Sequence, residues 1–490
     1  MGFKVDTSFL KFLTMGALGA RKVIGELSGM GYAPIELERY CTSNKIWATK
    51  VKRLRLPDLL CVRTGTRFEV RAKSDLKIRM SDAPNNPDRT WDAGLRDHDI
   101  IALIACTDNN GMPVPADGAV YFTVDTLRAS VGTSKLGPAK SASEGAERDR
   151  TWPAIVPSRP GEVLLVNGGK LVVSMEGDGN PPRRQTYTLS GKVPYVTPGE
   201  RFEAGSDMLA GTPAQLADLQ GPLANAYNPL PGLASANDVD RFSAAKAILH
   251  RPDLHAAALP ALEDLLDHEG ELRVALEAAG TATALGSAKG QDFVAATLHS
   301  DDNKQLSMEA IFILTEVKGQ FARDRLNAVA GSAEFQGDER RQAAIWGLGK
   351  AGLKAYADLV PFVADPEENM AYHAISGFGG DTPDVVIDAL ITMLVGGHEV
   401  AAPAASEALL VIGSENALAR LLVAAKTVND GRDWILATIG RFPPQMVRAM
   451  LAGLPLLDQL APMLLVAEGA NWMSRGEAQN DLRFLLKQSL

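Results

Sequence analysis

The C-terminal half of this 490-residue chain carries one sequence pattern that recurs about every 27–34 residues. Each copy is rich in Ala and Leu, and most copies end at or near glycine. This spacing is typical of a two-helix repeat, and its small residues let neighbouring helices approach closely. The pattern therefore predicts stacked helical pairs, with an irregular helical bundle as the alternative. The recurring segments are 282–286, 308–315, 343–349, 373–379, 407–413 and 435–440.

Repeats of this kind resemble HEAT-type α-solenoids. The resemblance implies about six or seven repeats across residues 237–490, which present an extended surface to a partner. This half shows no catalytic constellation, and His373 is expected to be a packed core or groove residue. The region is acidic, which favours a protein partner, unless basic residues such as Arg340 and Arg341 line a groove for DNA.

A second informative stretch spans residues 55–73. Asp58 stands at the head of one apolar run, and after a short turn a second run carries Glu69, Arg71 and Lys73 at alternate positions. Alternate residues of a strand project to the same face, so two carboxylates and a cation are expected to converge at one end of a hairpin. This combination suits a divalent metal and a phosphate. Phosphodiester cleavage is therefore the first functional hypothesis.

Residues 1–150 mix helix and strand signals and predict an α/β domain. Apolar residues at helical spacing mark the first helix, and a continuous apolar run marks a strand that is buried on both faces. The predicted helix covers residues 8–30, and the predicted strands cover 32–39, 53–62, 66–73, 99–106 and 119–124, with a helix starting at 125.

This element order, with Pro57-Asp58 and Glu69, resembles the PD-(D/E)XK nuclease superfamily and its restriction-endonuclease-like fold. The resemblance implies that Asp58 and Glu69 ligate Mg²⁺ or Mn²⁺, with the carbonyl of Val70 as a third ligand. The superfamily's lysine falls on Arg71, whose pKa is too high for a base. Lys73, one pleat further along, is expected to act as the catalytic lysine, with Arg71 stabilising charge. The alternative is an inactive domain that binds nucleic acid or protein.

Charge separates the N-terminal region from the rest of the chain. Residues 1–80 contain 16 Lys and Arg against 7 Asp and Glu, whereas the whole chain has a net charge of −9. A basic region joined to an otherwise acidic chain is expected when that region binds a polyanion. The polyanion predicted here is a nucleic acid, DNA more than RNA. The predicted nucleic-acid contacts are Lys45, Trp47, Lys50, Lys52, Arg53, Arg55, Arg89 and Arg96.

Residues 151–212 predict a small all-β domain, with a hairpin whose turn is Gly168-Gly169. The run from Val196 to Leu209 resembles the barrel-sandwich hybrid fold of lipoyl and biotinyl carriers. Lys192 lacks the expected flanking residues of a carrier lysine, so the segment is interpreted as a structural module. A Pro- and Ala-rich linker at 213–236 separates it from the predicted solenoid.

The overall composition predicts a multidomain protein of the reducing cytoplasm. The three cysteines lie far apart, so neither a disulfide framework nor a structural zinc site is expected. No apolar run approaches the roughly 18 residues that a membrane span needs, and no membrane partner is expected. The predicted fold class combines an α/β domain, a small β domain and an all-α solenoid.

Overall fold

The computed structural model describes residues 7–37, 47, 49, 54–83, 86–87, 90–109, 112–136, 148–177, 179, 181–212, 219, 226–300, 303–350, 352–397 and 400–451. These residues form two compact units. We call the first the mixed unit; it contains the described parts of Ser8–Cys41 and Lys52–Ala261. We call the second the helical unit; it contains the described parts of Thr42–Val51 and Leu262–Ser489. A β-rich N-terminal region and an all-helical C-terminal region are therefore confirmed.

The mixed unit carries all the described strands and the first helices. Its helices are α1 (Thr7–Gly29), α2 (Val124–Ala129), α3 (Asp238–Leu249) and the start of α4 (His255–His268). Its strands are β1 (Pro34–Glu36), β2 (Leu59–Cys61), β3 (Arg67–Lys73), β4 (Arg79–Asp82), β5 (Ile100–Asn109), β6 (Met112–Pro115), β7 (Val120–Thr123), β8 (Thr133–Leu136), β9 (Arg148–Thr151), β10 (Ala154–Ile155), β11 (Gly161–Asn167), β12 (Lys170–Met175), β13 (Arg183–Thr188), β14 (Val193–Pro194), β15 (Arg201–Phe202) and β16 (Ala210–Gly211).

The largest sheet has the order β1-β2-β3-β5-β6, and β7 also pairs with β5. Strands β2 and β3 form an antiparallel hairpin, while β3 and β5 run parallel, with Phe68 beside Ile100. The first seven residues of β5 are buried, as the continuous apolar run predicts. The observed helix α1, the β2–β3 hairpin and strands β5 and β7 all lie where the sequence predicts them.

Each face of this sheet has its own core. On one face, α1 packs so closely that a Cβ added to Gly19 would lie 2.7 Å from the Cβ of Ala72. The opposite face is covered in part by an apolar cluster that includes Trp91 and Trp152. Because side chains alternate along β3, its even-numbered residues face α1 and its odd-numbered residues, including Glu69, face the other side.

Residues 154–211 form two small sheets around a shared core. One has the order β10-β16-β14, and the other has the order β13-β12-β11-β15. The predicted hairpin is present, since Asn167 pairs with Lys170 and both turn glycines have positive φ angles. The likeness to carrier domains stays a prediction. A third small sheet, β4-β9-β8, lies in the same unit.

Within its described part, the helical unit is a succession of helical pairs. Successive first helices contact one another along the array. The first helices are α5 (Leu272–Ala284), α7 (Lys304–Val317), α9 (Glu339–Leu348), α11 (Glu368–Gly377), α13 (Ala401–Ile412) and α15 (Arg432–Gly440); the second helices are α6 (Ala288–Leu298), α8 (Gly319–Gly331), the short α10 (Tyr356–Leu359), α12 (Asp384–Gly396), α14 (Glu415–Thr427) and α16 (Pro444–Leu451).

Small residues and polar links join neighbouring pairs. A Cβ added to Gly349 would lie 2.5 Å from the Cα of Gly377, so only glycine allows the ends of α9 and α11 to approach this closely. The buried hydroxyl of Thr438 donates to Ser406 at 2.8 Å, 32 residues earlier. The repeat predicted from the glycine spacing is therefore confirmed as a helical repeat. Among the described helices, none is long and apolar enough to cross a membrane.

Candidate functional site

Asp58 and Glu69 stand on neighbouring strands of the hairpin. The register pairs Leu59 with Phe68, which sets the preceding residue, Asp58, beside Glu69. Asp58 is only 6% exposed and Glu69 only 8%. The backbone thus places two acidic residues together, so the partners of each carboxylate decide what this site can do.

Each carboxylate has a partner from the protein itself. The Oδ2 atom of Asp58 accepts a hydrogen bond from the backbone N–H of Val70 at 2.7 Å. Strand β2 pairs with β3 only as far as Leu59, so this carboxylate replaces the carbonyl that a longer strand would supply. The Oε1 atom of Glu69 lies 2.6 Å from Nη2 of Arg71. Each acid thus contacts a neighbouring group of strand β3.

In this arrangement one carboxylate oxygen of Asp58 and one of Glu69 already have partners from the protein. A divalent cation such as Mg²⁺ or Mn²⁺ needs carboxylate oxygens that are free to coordinate it. Here Asp58 caps the edge of β3, and Glu69 already neutralises Arg71. Among the residues that the structure describes, no group of three or more His, Cys, Asp and Glu side chains could hold a metal ion. A metal held by Asp58, Glu69 and the Val70 carbonyl stays a prediction.

Lys73 ends strand β3 on the same side as Glu69 and Arg71. Its side chain is partly buried, and it makes no hydrogen bond or ion pair with another described residue. Burial, together with the positive charges of Arg71 and Arg79, lowers the pKa of Lys73 to about 8. The amine is therefore neutral more often than that of an exposed lysine, for which 10.5 is the reference pKa.

Three of the eight predicted nucleic-acid contacts lie in the described part of the chain: Trp47, Arg55 and Arg96. Arg55 is exposed. Arg96 forms an ion pair with Asp240. Trp47 is 0% exposed, so it cannot stack on a base in this arrangement. The remaining predicted contacts lie outside the described residues: Lys45, Lys50, Lys52, Arg53 and Arg89.

Trp47 instead belongs to the helical unit, where it packs against aromatic residues from three successive first helices. Its ring stacks on His373 of α11, with the centroids 5.1 Å apart and an interplanar angle of 18°. Phe312 of α7 and Trp346 of α9 lie with their ring centroids 6.2 and 6.1 Å from that of Trp47. We call this pocket, formed by Phe312, Trp346 and His373, the tryptophan seat.

Thr49, two residues after Trp47, also contacts the helical unit, through a backbone hydrogen bond. The N–H of Thr49 donates to Oε2 of Glu339, the first residue of α9, at 2.8 Å. These two residues are 290 positions apart in the chain. No local spacing could have shown this contact, and the basic residues around Trp47 pointed to DNA instead. The seat combines an aromatic anchor with a backbone hydrogen bond, as peptide-binding grooves do.

Complete burial lowers the pKa of His373 to about 3. The ring is therefore neutral in the folded protein at pH values where an unfolded histidine, with a pKa near 6.5, binds a proton. Stability must then fall as the pH drops below about 6.5, by about 1.4 kcal/mol per pH unit, because only the unfolded chain gains the proton.

We expect His373→Phe to remove this dependence on pH. Between pH 6.5 and 5, the free energy of unfolding should then fall by about 2 kcal/mol less in the variant than in wild type. Urea unfolding followed by circular dichroism at several pH values measures it. His268→Gln is the matched control, since the His268 side chain is 74% exposed. Equal slopes for wild type and His373→Phe would contradict the assignment.

Comparisons with known proteins give no family assignment. No protein-family model matches the chain, and no curated protein matches it in sequence. A solved complex of CpcE and CpcF of phycocyanin lyase from Nostoc sp. PCC7120 is 21% identical, with 49% of this chain and 96% of that chain covered and a TM-score of 0.25. An engineered protein is 17% identical, with 52% and 75% covered and a TM-score of 0.24. Both TM-scores are too low to carry an inference.

Proposed function

We propose that the protein is a helical-repeat interaction scaffold whose first helices bind an extended peptide segment. The observation that supports this most is the tryptophan seat, because two residues of the chain itself, Trp47 and Thr49, already occupy that surface. Helical repeats commonly use such continuous surfaces to bind partner chains. The partner we propose is therefore a protein, as the acidic character of this half of the sequence also suggests.

The contacts at the seat are those that peptide recognition requires. A buried aromatic anchor contributes most of the affinity in many interfaces, and tryptophan is among the most frequent anchors. The side chain of Trp47 contacts three repeats, while Thr49 donates a backbone hydrogen bond to Glu339. A side chain and a backbone group are thus both recognised within three residues. A partner segment could use the same two features.

The nuclease hypothesis has less support than the scaffold. Arg71 occupies the position of the expected lysine, and it pairs with Glu69. Asp58 caps the edge of a strand. Cleavage, DNA binding and Mg²⁺ or Mn²⁺ thus remain predictions from the sequence, as does the restriction-endonuclease-like fold. An inactive domain of this kind beside a protein-binding solenoid agrees better with the contacts of these residues.

A peptide added in trans tests the scaffold function directly. A fluorescent peptide with the sequence of residues 42–51 is titrated into the full chain carrying Trp47→Leu. We expect it to bind this variant at least tenfold more tightly than wild type, because the wild-type seat is filled by a covalently attached segment at high effective concentration. Fluorescence anisotropy measures both affinities.

Two controls decide the outcome. The same peptide with alanine in place of its tryptophan should bind at least tenfold more weakly, since the anchor is lost. Equal binding of both peptides, or equal binding to both proteins, would mean that the seat is an internal core and not a recognition site. DNA cleavage that requires Mg²⁺ and disappears in Asp58→Asn would favour the nuclease hypothesis instead.

A further inference from the structure

Strand β13 forms an open edge of a sheet in the mixed unit. In the order β13-β12-β11-β15, it pairs with β12 along its whole length, from Arg183 beside Met175 to Thr188 beside Lys170. On its other side it pairs with no strand in the described part of the chain. With six residues, it is the longest edge strand that the structure describes. Such an edge offers a row of N–H and C=O groups to which a further strand can pair.

Several other sheet edges in the mixed unit are very short or contain proline. Strand β6 carries Pro113 and Pro115. Strand β1 begins at Pro34, and β14 ends at Pro194. Proline has no N–H to donate, so it prevents an additional strand from pairing there. Strand β13 contains no proline, and five of its six residues are exposed, with Tyr187 half-buried.

One backbone hydrogen bond identifies the residues of β13 whose backbone groups point outward. The N–H of Leu189, directly after the strand, donates to the carbonyl of Gly169, directly before β12, at 2.8 Å. Because backbone groups alternate in direction along an antiparallel strand, the odd-numbered residues of β13 bond towards β12. The N–H and C=O groups of Arg184, Thr186 and Thr188 therefore point away from the sheet. Within the described part of the chain, no loop backbone bonds to these outward groups.

The first two side chains of β13 give this edge a positive charge. Arg183 and Arg184 project to opposite faces, and both are exposed. Neither forms an ion pair with another described residue. In cross-strand register, Arg184 is followed by Ser174 and then by Glu162, so the first acid in this row lies about 10 Å away. Charge complementarity therefore favours an acidic partner.

The next row on the face of Arg184 is apolar. It consists of Leu165, Val172 and Thr186, which lie side by side on β11, β12 and β13. Leu165 is 42% exposed, although it lies on a face that carries charged residues. Cross-strand pairs of apolar and β-branched residues stabilise a sheet. An added strand would extend this row with a residue of that type beside Thr186.

We propose that β13 binds an extended acidic segment of a partner protein, which adds to the sheet as a further strand. The segment forms backbone hydrogen bonds with Arg184, Thr186 and Thr188. Its carboxylates lie near Arg183 and Arg184, and a β-branched residue lies beside Thr186. Main-chain bonds then supply affinity, and the charged and apolar rows supply specificity. This surface belongs to the mixed unit and does not depend on the tryptophan seat.

A peptide that alternates glutamate and valine tests the proposal. Fluorescent Glu-Val-Glu-Val-Glu-Val-Glu is titrated into the full chain and followed by anisotropy. We expect Thr186→Pro to weaken binding at least tenfold, because proline removes an outward N–H and leaves the bonds to β12 in place. Arg184→Gln should weaken binding at least threefold, and this difference should shrink at high salt. Trp47→Leu should bind the peptide as wild type does.

Hydrogen exchange in the wild-type protein tests the same edge without a variant. Saturating peptide should slow the exchange of the Thr186 and Thr188 amides at least tenfold, because these amides gain a hydrogen bond. The amides of Gln185 and Tyr187 already bond to β12 and should change little. Equal protection of all four amides, or of none, would overturn the proposal.

Matched controls separate the other occupants of this edge. Gln185→Pro, which removes a bond to β12, should lower the Tm more than Thr186→Pro does; equal Tm values would contradict the assigned direction of the backbone groups. A lysine–valine peptide that binds as tightly would exclude an acidic partner. An oligonucleotide that displaces the peptide, with a dependence on Arg184 but not on Thr186, would indicate nucleic acid instead. A dimer that Thr186→Pro dissociates would assign the edge to a second copy of the chain.

Discussion

Trp47→Ala is expected to lower the free energy of unfolding of the helical unit by about 3–5 kcal/mol, the usual cost of removing a buried aromatic side chain. The indole is 0% exposed, and its ring stacks on His373. Phe312 and Trp346 lose a partner at the same time. Alanine would leave a cavity between three helices of the repeat array, and packed helices cannot collapse fully to fill it. Urea unfolding monitored by circular dichroism measures the change.

A matched control for this substitution lies on α14. Val423 is 61% exposed, so Val423→Ala should change the stability by no more than about 0.5 kcal/mol. Trp47→Leu, which fills part of the cavity, should fall between the alanine variant and wild type. If Trp47→Ala costs no more than the control, the tryptophan seat cannot be a packed site.

Arg67→Met is expected to destabilise the mixed unit by about 3–5 kcal/mol, because it leaves a buried carboxylate without its counter-ion. The Nε atom of Arg67 donates to Oδ1 of Asp99 at 2.8 Å, and its Nη2 atom forms a second ion-pair contact with the same carboxylate. Both side chains are only 5% exposed. The arginine also donates to the carbonyl of Gly94 at 3.2 Å, which ties the loop before β5 to β3.

An exposed ion pair and a double variant serve as controls for Arg67→Met. Arg201 pairs with Glu176 at 2.6 Å, but its side chain is 72% exposed, so Arg201→Ala should cost no more than about 1 kcal/mol. Adding Asp99→Asn to Arg67→Met removes the uncompensated charge and should restore part of the lost stability. A single variant as stable as Arg201→Ala would show that the buried pair contributes little. Thermal and urea unfolding give the three values.

The two substitutions concern different units, so their effects should be separable. Two-state behaviour is not assured for a chain with two compact units. We therefore expect Trp47→Ala to shift a transition dominated by helical signal. Arg67→Met should instead shift a transition of the β-rich part. Coincident shifts of both transitions in either variant would mean that the units unfold together.

Parts of the fold that depend on local periodicity were predictable from the sequence. The spacing of apolar residues predicts α1, and the continuous apolar run predicts β5. Glycine at the ends of the repeated segments predicts close helix packing, which the approach of Gly349 to Gly377 illustrates. These features follow from residues within one or two elements, where side-chain direction is fixed by the backbone.

The candidate site was less predictable, because the chemical role of its residues depends on partners outside the motif. The sequence places Asp58, Glu69 and Arg71 in one hairpin. It does not show that Asp58 bonds to the N–H of Val70 or that Glu69 bonds to Arg71. A carboxylate can cap a strand, balance an arginine or ligate a metal, and only its neighbours in space distinguish these roles.

By itself, the sequence determined the helical repeat and the hairpin, because both arise from short-range periodicity. Only the tertiary structure decided that Trp47 packs on Phe312, Trp346 and His373 instead of remaining open to a nucleic acid. The physical reason is that the largest stabilisation of an indole comes from burial against apolar surface. That surface is formed here by helices that are far from Trp47 in the sequence, and no residue near Trp47 indicates the contact.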